Sequence, residues 1–269
     1  MSTHKTNSKI LQPFIQWVGG KRKIAPQLIK HLPETGLNNY YEPFLGGGAL
    51  FFQVKHMFKQ CYLSDINLDL VTSYNAVKYY PEQVGQLLQS HVQNHSKEYY
   101  YQVRNINNSN NPQIISARFL YLNRYAFKGI YRINKNGTLD LSYSYKRHKN
   151  LNIEEKLKNC SDCLSDVSIY AGDFSFIDPK PDDFVYFDPP YHEAGERFYT
   201  RLPFDENEQI RLRDFAKTLD HKGVRFMISN SNTDFIRNLY KGFNINIIEV
   251  QYSLPRQRKQ IKELVITNY

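Results

Sequence analysis

Val185-Tyr186-Phe187-Asp188-Pro189-Pro190-Tyr191 is an apolar run that ends in an acid, two prolines and an aromatic ring. The Val/Tyr/Phe run suits a strand covered on both faces, and neither proline can supply a ladder N–H, so regular structure ends there. Open α/β sheets place ligands just beyond the carboxyl ends of their strands, which offers Asp188 and Tyr191 to a substrate. A carboxylate, the adjacent backbone carbonyl of Pro189 and a ring face suit a planar heterocycle that carries an amino group. The carboxylate and carbonyl accept the two amine hydrogens, and the ring stacks on the base. Taken alone, four such residues more often mark only a strand and a Pro-Pro turn, so the rest of the chain decides.

Outward from this run the pattern is α/β. Upstream, Tyr40 to Leu45 reads as a strand, Gly46-Gly47-Gly48 as a turn and the following residues as a helix start; Cys61 to Asn67 reads as a second strand ending in an acid, and Leu68 to Tyr80 as a helix. Two βα units in succession imply a parallel sheet. Phe14 to Val18 predicts a short extended segment, Gly19-Gly20 a turn, and Lys23 to His31 a helix. From about Pro81 the chain becomes polar and rich in Tyr and Asn. Asn105 to Asn111 reads as a loop between helices, Ser116 to Phe127 as a helix, and Asn136-Gly137 as a hairpin tip. The α/β pattern resumes with Val167 to Tyr170, the Val185 strand, a helix from Asp205 to Leu219, a strand from Val224 to Ser229, and a hairpin-like pair, Ile245 to Tyr252 with Glu263 to Thr267. One α/β domain, residues 1–80 and 161–269, is thus interrupted by an insert at 81–160.

The 269 residues are enough for a substantial core without staples. Net charge is +9, with 21 Tyr and 17 Phe, and cations with flat rings suit nucleic acid, the one neutralising phosphate and the other stacking on bases. Three basic clusters, Lys21 to Lys23, Lys146 to Lys149 and Arg256 to Lys259, invite one extended polyanion. Cys160 and Cys163 form a C-x2-C pair without a second pair or spaced His, which argues against zinc, and no metal is called for. The polar start at Met1 to Lys9 and the lack of a long apolar window predict a cytoplasmic protein that does not engage a membrane.

The glycine turn at Gly46 to Gly48 and Asp65, about 20 residues on at the end of the next strand, have the spacing of a nucleotide site: glycines admit the ligand to the backbone and the acid takes ribose hydroxyls. In order along the chain, Phe14 to Lys21 (FIQWVGGK), Glu42 to Phe52 (EPFLGGGALFF), Ser64 to Asn67 (SDIN), Gly172 to Phe174 (GDF) and Asp188 to Tyr191 (DPPY) resemble the Dam-type, alpha-group DNA adenine-N6 methyltransferases, especially the methylases of GATC restriction–modification systems. The similarity runs from about Leu11 to Tyr269.

The resemblance implies a Rossmann-like methyltransferase sheet, S-adenosyl-L-methionine as cofactor, and an inserted, mainly helical target-recognition domain acting on double-stranded DNA. It implies that Trp17 and Lys21 contact the donor, Lys21 near its carboxylate; that Glu42, Phe44 and Gly46 shape the methionine side; that Asp65 holds the ribose; and that Asp173 and Phe174 flank the adenine of the donor. Asp188, Pro189, Pro190 and Tyr191 become the catalytic segment, with Asp188 bordering the donor as well. In the insert, Arg132 would read a guanine through the fork that matches O6 and N7, Phe127 would wedge into the duplex, Ile130 would touch a base edge, and Lys146 and Arg147 would meet DNA.

The implied reaction is transfer of a methyl group to adenine N6 of a flipped base, by a monomer, with a restriction endonuclease as a partner in the same system. Asp140 to Lys146 departs from the family pattern, with Ser142 where relatives carry proline, and the loops after Tyr191 and near Gln257 look shorter or more charged. The target is therefore expected to be GATC or a related short site. The alternatives are cytosine-N4 methylation, an RNA or small-molecule substrate, and a silent DNA-binding protein on the same fold.

Overall fold

A computed structural model describes residues 11–17, 19–34, 37–106, 109–127, 139–145, 153–193, 204–253 and 258–269. In chain order its elements are α1 Ala25–Ile29, β1 Asn39–Glu42, α2 Phe51–Val54, β2 Gln60–Asp65, α3 Leu68–Tyr79, α4 Pro81–Gln93, α5 Lys97–Asn105, α6 Pro112–Tyr125, α7 Ile153–Leu164, β3 Ser168–Ala171, β4 Phe184–Phe187, α8 Glu206–His221, β5 Arg225–Ser231, α9 Asp234–Leu239, β6 Asn244–Ser253 and β7 Arg258–Thr267.

The sheet has seven strands in the order β3-β2-β1-β4-β5-β7-β6. The first five are parallel, and β7 runs antiparallel between β5 and β6. Strand order reverses between β1 and β4, which pair at Tyr40–Phe184 and Tyr41–Val185. Ligands of open α/β sheets bind at such a reversal, past the carboxyl ends of the strands.

Alternation along β4 explains its unbroken apolar sequence. Phe184 and Tyr186 belong to one apolar cluster, with α1 to α7, whereas Val185 and Phe187 belong to the other, with Leu212, Ala216 and Leu219 of α8 and Ile236 of α9. With helices on both faces neither side chain set meets water, so no polar alternation appears.

Between α3 and β3 the described residues are mainly helical. Proline opens α4 and α6 at the first turn, where a missing N–H costs nothing. Ser96 caps α5 by accepting from the N–H of Tyr99 at 3.0 Å, and Asn111 caps α6 by accepting from Gln113 and Ile114. Val84, Leu88, Tyr100, Tyr121 and Leu157 from these helices share one core with Leu63 and Tyr186 of the sheet.

Several boundaries differ from the expected ones. The helix expected over Lys23 to His31 begins later, at Ala25 after a 3₁₀ turn at Lys21–Lys23, because Pro26 fits only the first turn. Residues 11–17 join no strand. The helices α4, α5, α7 and α9 had no individual sequence signal, and the Asn136-Gly137 hairpin tip lies outside the described residues.

Candidate active site

Glu42, Asp65 and Asp188 stand at or just past the carboxyl ends of β1, β2 and β4, three adjacent strands at the reversal. Asp188 Oδ1 lies 2.8 Å from Lys21 Nζ. The same ammonium donates to the carbonyl of Gly19 at 2.7 Å and sits 4.5 Å from the centre of the Tyr191 ring. The Tyr191 hydroxyl donates to Glu263 Oε2 at 2.8 Å. Burial pushes the Asp188 carboxyl up to about 6, the Lys21 charge pulls it back, and Glu263 adds to the rise. The Asp188 side chain keeps 19 % of its exposure.

The glycine turn is built around Trp17. Gly46 has φ +46°, and a Cβ there would fall 2.7 Å from Trp17 Cδ1; at Gly47 it would fall 3.2 Å from Trp17 Cβ. The indole therefore lies directly on the turn, and glycine is required at Gly46 by both conformation and space. Asp65 closes the turn: Oδ2 accepts from Gly46 N–H at 3.0 Å and Oδ1 from Asn67 N–H at 2.9 Å. A carboxylate accepts about four hydrogen bonds, so lone pairs remain for ligand hydroxyls. Burial lifts Asp65 to about 6 against the pull of the backbone N–H groups of Gly46, Asn67 and Ile66. Glu42 is lifted further by burial, to about 8, and accepts from the Tyr40 hydroxyl at 2.7 Å. A cleft of carboxyl groups whose charge is disfavoured by burial gains from a bound cation, and a ligand with ammonium, sulfonium and ribose groups fits that demand.

Asp173 and Phe174 join a different part of the cleft wall. The Asp173 carboxylate is bound by both Nη1 and Nη2 of Arg211 at 2.8 Å, and Arg211 holds its acid at about 2. The guanidinium lies 4.0 Å over the Phe174 ring, and that ring stacks on Phe44 at 5.3 Å. Phe44 and Phe174 thus form one aromatic surface beside β1, and Asp173 is committed to anchoring it through α8.

Helix α6 reaches the segment that precedes the glycine turn. Asn123 Nδ2 donates to the carbonyl of Gln16 at 2.7 Å and its Oδ1 accepts from Gln16 N–H at 3.2 Å, which fixes the segment carrying Trp17. After α6 the chain meets the Asp140 segment antiparallel: Phe127 N–H donates to Ser142 and Ser144 N–H to Tyr125, at 2.7 and 2.8 Å. Phe127 is half exposed, at 51 %. Ile130, Arg132, Lys146 and Arg147 lie outside the described residues.

Of the basic cluster Lys21 to Lys23, Arg22 and Lys23 are exposed, whereas Lys21 is buried at 5 % and turned inward onto Asp188, which takes it out of the polyanion patch. Its burial is tolerable because Asp188 and the Gly19 carbonyl satisfy it. Sequence reasoning also missed Arg211, Gln209, Asn230 and Glu263, which brace the cleft from α8, β5 and β7. The available signal was Ser229-Asn230-Ser231, polar residues closing a buried parallel strand. Cys160 and Cys163 fall on α7 as free thiols. Among the described residues no group of three or more His, Cys, Asp or Glu is placed to hold a metal, and no helix is long and apolar enough to cross a membrane.

Residues 17–254 match the family model described as D12 class N6 adenine-specific DNA methyltransferase. The chain is 37 % identical to the type II methyltransferase M1.LlaDCHI of Lactococcus lactis subsp. cremoris, covering 100 % of this chain and 99 % of that protein. It is 36 % identical to the type II methyltransferase M.MjaIII of Methanocaldococcus jannaschii, covering 96 % and 99 %, and 31 % identical to the DNA adenine methylase of Vibrio cholerae O395, covering 94 % of each.

Proposed function

The chain belongs to the D12 class N6 adenine-specific DNA methyltransferases, and from that premise we propose that it flips its target adenine out of duplex DNA and holds it against Asp188, Pro189, Pro190 and Tyr191. The observation that carries this reading is the meeting of Asp188, Lys21 and Tyr191 at the sheet reversal. Adenine, rather than cytosine, is the base modified, and S-adenosyl-L-methionine is the methyl donor.

Adenine N6 is a poor nucleophile because its lone pair is delocalised into the ring. Asp188 and the Pro189 carbonyl accept the two N–H bonds and favour a tetrahedral nitrogen with its lone pair directed outward; positioning supplies most of the remaining rate. A base inside the stack cannot meet these groups, which is why flipping is required, and Tyr191 stacks on the extruded ring. When bound, S-adenosyl-L-methionine supplies an electrophilic methyl group on sulfur. Asp65 would take the ribose hydroxyls, Trp17 and Gly46 would form the floor, Glu42 would offer its carboxyl to the cationic end, and Phe174, anchored through Asp173, would flank the donor adenine with Phe44 stacked on it toward the methionine side. Lys21 has three N–H bonds. With Gly19 and Asp188 taking two, the third serves the donor carboxylate.

Asp188 must be ionised to accept both the Lys21 charge and the amine, and this form is lost as pH falls through about 6. The kcat/KM for DNA at saturating donor is therefore expected to decline below that pH. Asp65 is lifted to a similar value, so the donor Kd is measured over the same range to separate the two. A kcat/KM that holds constant down to the ordinary aspartate range would remove Asp188 as the ionised acceptor.

We assign residues 81–160 to target recognition, with Phe127 wedging into the duplex, Ile130 at a base edge, Arg132 on a guanine and Lys146 and Arg147 on the DNA. The half-exposed Phe127 beside the Asp140 segment supports this. Arg132→Ala is expected to cost roughly 1–3 kcal/mol of discrimination at one base position, with non-specific binding nearly unchanged. Uniform weakening with a shallower salt dependence would make it a phosphate contact. The proposed target is GATC or a related short palindrome, read by a monomer in the cytoplasm. A restriction endonuclease of the same system is the proposed partner, supported by similarity to two proteins named type II methyltransferases. Sequencing of methylated DNA tests the target: N6-methyladenine confined to GATC makes the Ser142 departure silent, and a longer or degenerate motif gives that segment a part in specificity.

A further inference from the structure

The residue after the two prolines has both of its flanking peptide planes tied to side chains on other elements. The carbonyl of Pro190 accepts from Gln209 Nε2 of α8 at 2.8 Å. Past Tyr191, the N–H of His192 donates to Asn230 Oδ1 of β5 at 3.3 Å, and the carbonyl of His192 accepts from Ser231 Oγ at 2.7 Å. Gln209 and Asn230 are joined, Asn230 Nδ2 donating to Gln209 Oε1 at 2.9 Å, and both are fully buried.

The direction of this chain is determined without ambiguity. The N–H groups of His192 and Ser231 can only donate, the latter at 2.8 Å, so the Asn230 atom they meet is the oxygen. Its amide nitrogen then faces Gln209, which must present oxygen to it and nitrogen to the Pro190 carbonyl, an atom that can only accept. Reversing either amide would set like atoms against each other at both ends. The unit has one hydrogen-bonded state, and in that state the peptide planes before and after Tyr191 are both held.

From this geometry we infer that Gln209 and Asn230 are positioning residues for the reaction. They fix the backbone of Tyr191, and through it the ring, while the Tyr191 hydroxyl is held separately by Glu263. The inference rests on the reading that Asp188 to Tyr191 receive the target adenine. It adds that the receiving surface is aligned by α8 and by β5, the strand on the far side of β4 from the Asp65 and Gly46 turn. Loss of the unit should lower turnover while leaving the donor pocket as it is.

Gln209→Leu removes the donor to Pro190, and a misplacement of the order of 1 Å at a reacting group costs up to about a hundredfold in rate. A kcat lowered by about tenfold or more is expected, with the donor Kd within about twofold of the wild type. Gln209→Glu is the sharper variant because it keeps size and shape. When protonated, the introduced carboxyl donates to the Pro190 carbonyl as the amide does; when ionised, it sets a carboxylate against that carbonyl. The proton is lost as pH rises, and full burial displaces the carboxyl upward from its usual range. The variant is therefore expected to gain a falling alkaline limb in kcat, absent from the wild type and from Gln209→Leu, under conditions where circular dichroism shows it folded throughout.

A kcat profile for Gln209→Glu parallel to that of the wild type, or a Gln209→Leu variant of unchanged kcat, would overturn the inference. If Gln209→Leu does not fold, the Gln209→Glu profile decides alone. Failure of the underlying reading is recognised separately: it would show as an active Asp188→Ala enzyme, whereas a flat Gln209→Glu profile with an inactive Asp188→Ala enzyme counts against the positioning unit only.

Discussion

Asp188→Ala is expected to lower methyl transfer by roughly a thousandfold while changing the donor Kd only a few-fold, the range found when one preorganised group at a reacting centre is removed. The carboxylate acts on the incoming amine, and with it gone the N6 hydrogens have only the Pro189 carbonyl to meet, so the nitrogen stays flat and its lone pair stays in the ring. Donor binding survives because its contacts lie toward β1 and β2. Lys21 loses its partner at 2.8 Å, yet keeps the Gly19 carbonyl and the donor carboxylate. Single-turnover rates with the DNA already bound, together with a titration of the donor alone, separate the two quantities. Turnover within about tenfold of the wild type would refute the assigned role.

Asp65→Ala is expected to act on the other quantity. The carboxylate closes the glycine turn, through Gly46 and Asn67, and under the proposed function its remaining lone pairs go to the ribose. A hydrogen bond to a charged acceptor contributes about 1.5–3 kcal/mol, so losing one to the ribose weakens the donor by roughly ten- to 150-fold. Asp65→Asn, which keeps one acceptor oxygen, is expected to fall between. Isothermal titration with the donor or its demethylated product measures this directly. An unchanged Kd for Asp65→Ala would leave Asp65 as a buttress of the turn and remove it from the pocket.

Much of this site was legible in the residues because each of its main parts sits where a strand ends. The run before Asp188 carries no polar residue because both of its faces are covered, and two prolines forbid its continuation. Gly46 and Asp65 are separated by a single βα unit, so their spacing alone brought them together. Lys21 was singled out only through the resemblance of Phe14 to Lys21: in a run of three cations the charge pattern alone does not distinguish the buried one from its solvated neighbours, and its ion pair spans most of the chain. Gln209 and Glu263 were hidden for a related reason: each is one polar residue among several on its element, and its partner is fixed by tertiary structure, whereas Asn230 left a signal in Ser229-Asn230-Ser231 that was not read. The helices of the insert were blurred by their composition. The Tyr and Asn that make residues 81–160 look loop-like turn out to pack, as with Tyr100 and Tyr121, or to cap, as with Asn111. Arg132 and its neighbours were read only through resemblance, and their roles rest on the specificity experiment.

The identity of the methylated nucleoside tests the central claim most directly. Duplex DNA is incubated with the enzyme and S-adenosyl-L-methionine labelled in the methyl group, digested to nucleosides and resolved by chromatography with mass detection. Label is expected in N6-methyldeoxyadenosine with the wild type and only at background with Asp188→Ala. Label in N4-methyldeoxycytidine, or label in N6-methyldeoxyadenosine undiminished by Asp188→Ala, would contradict that claim.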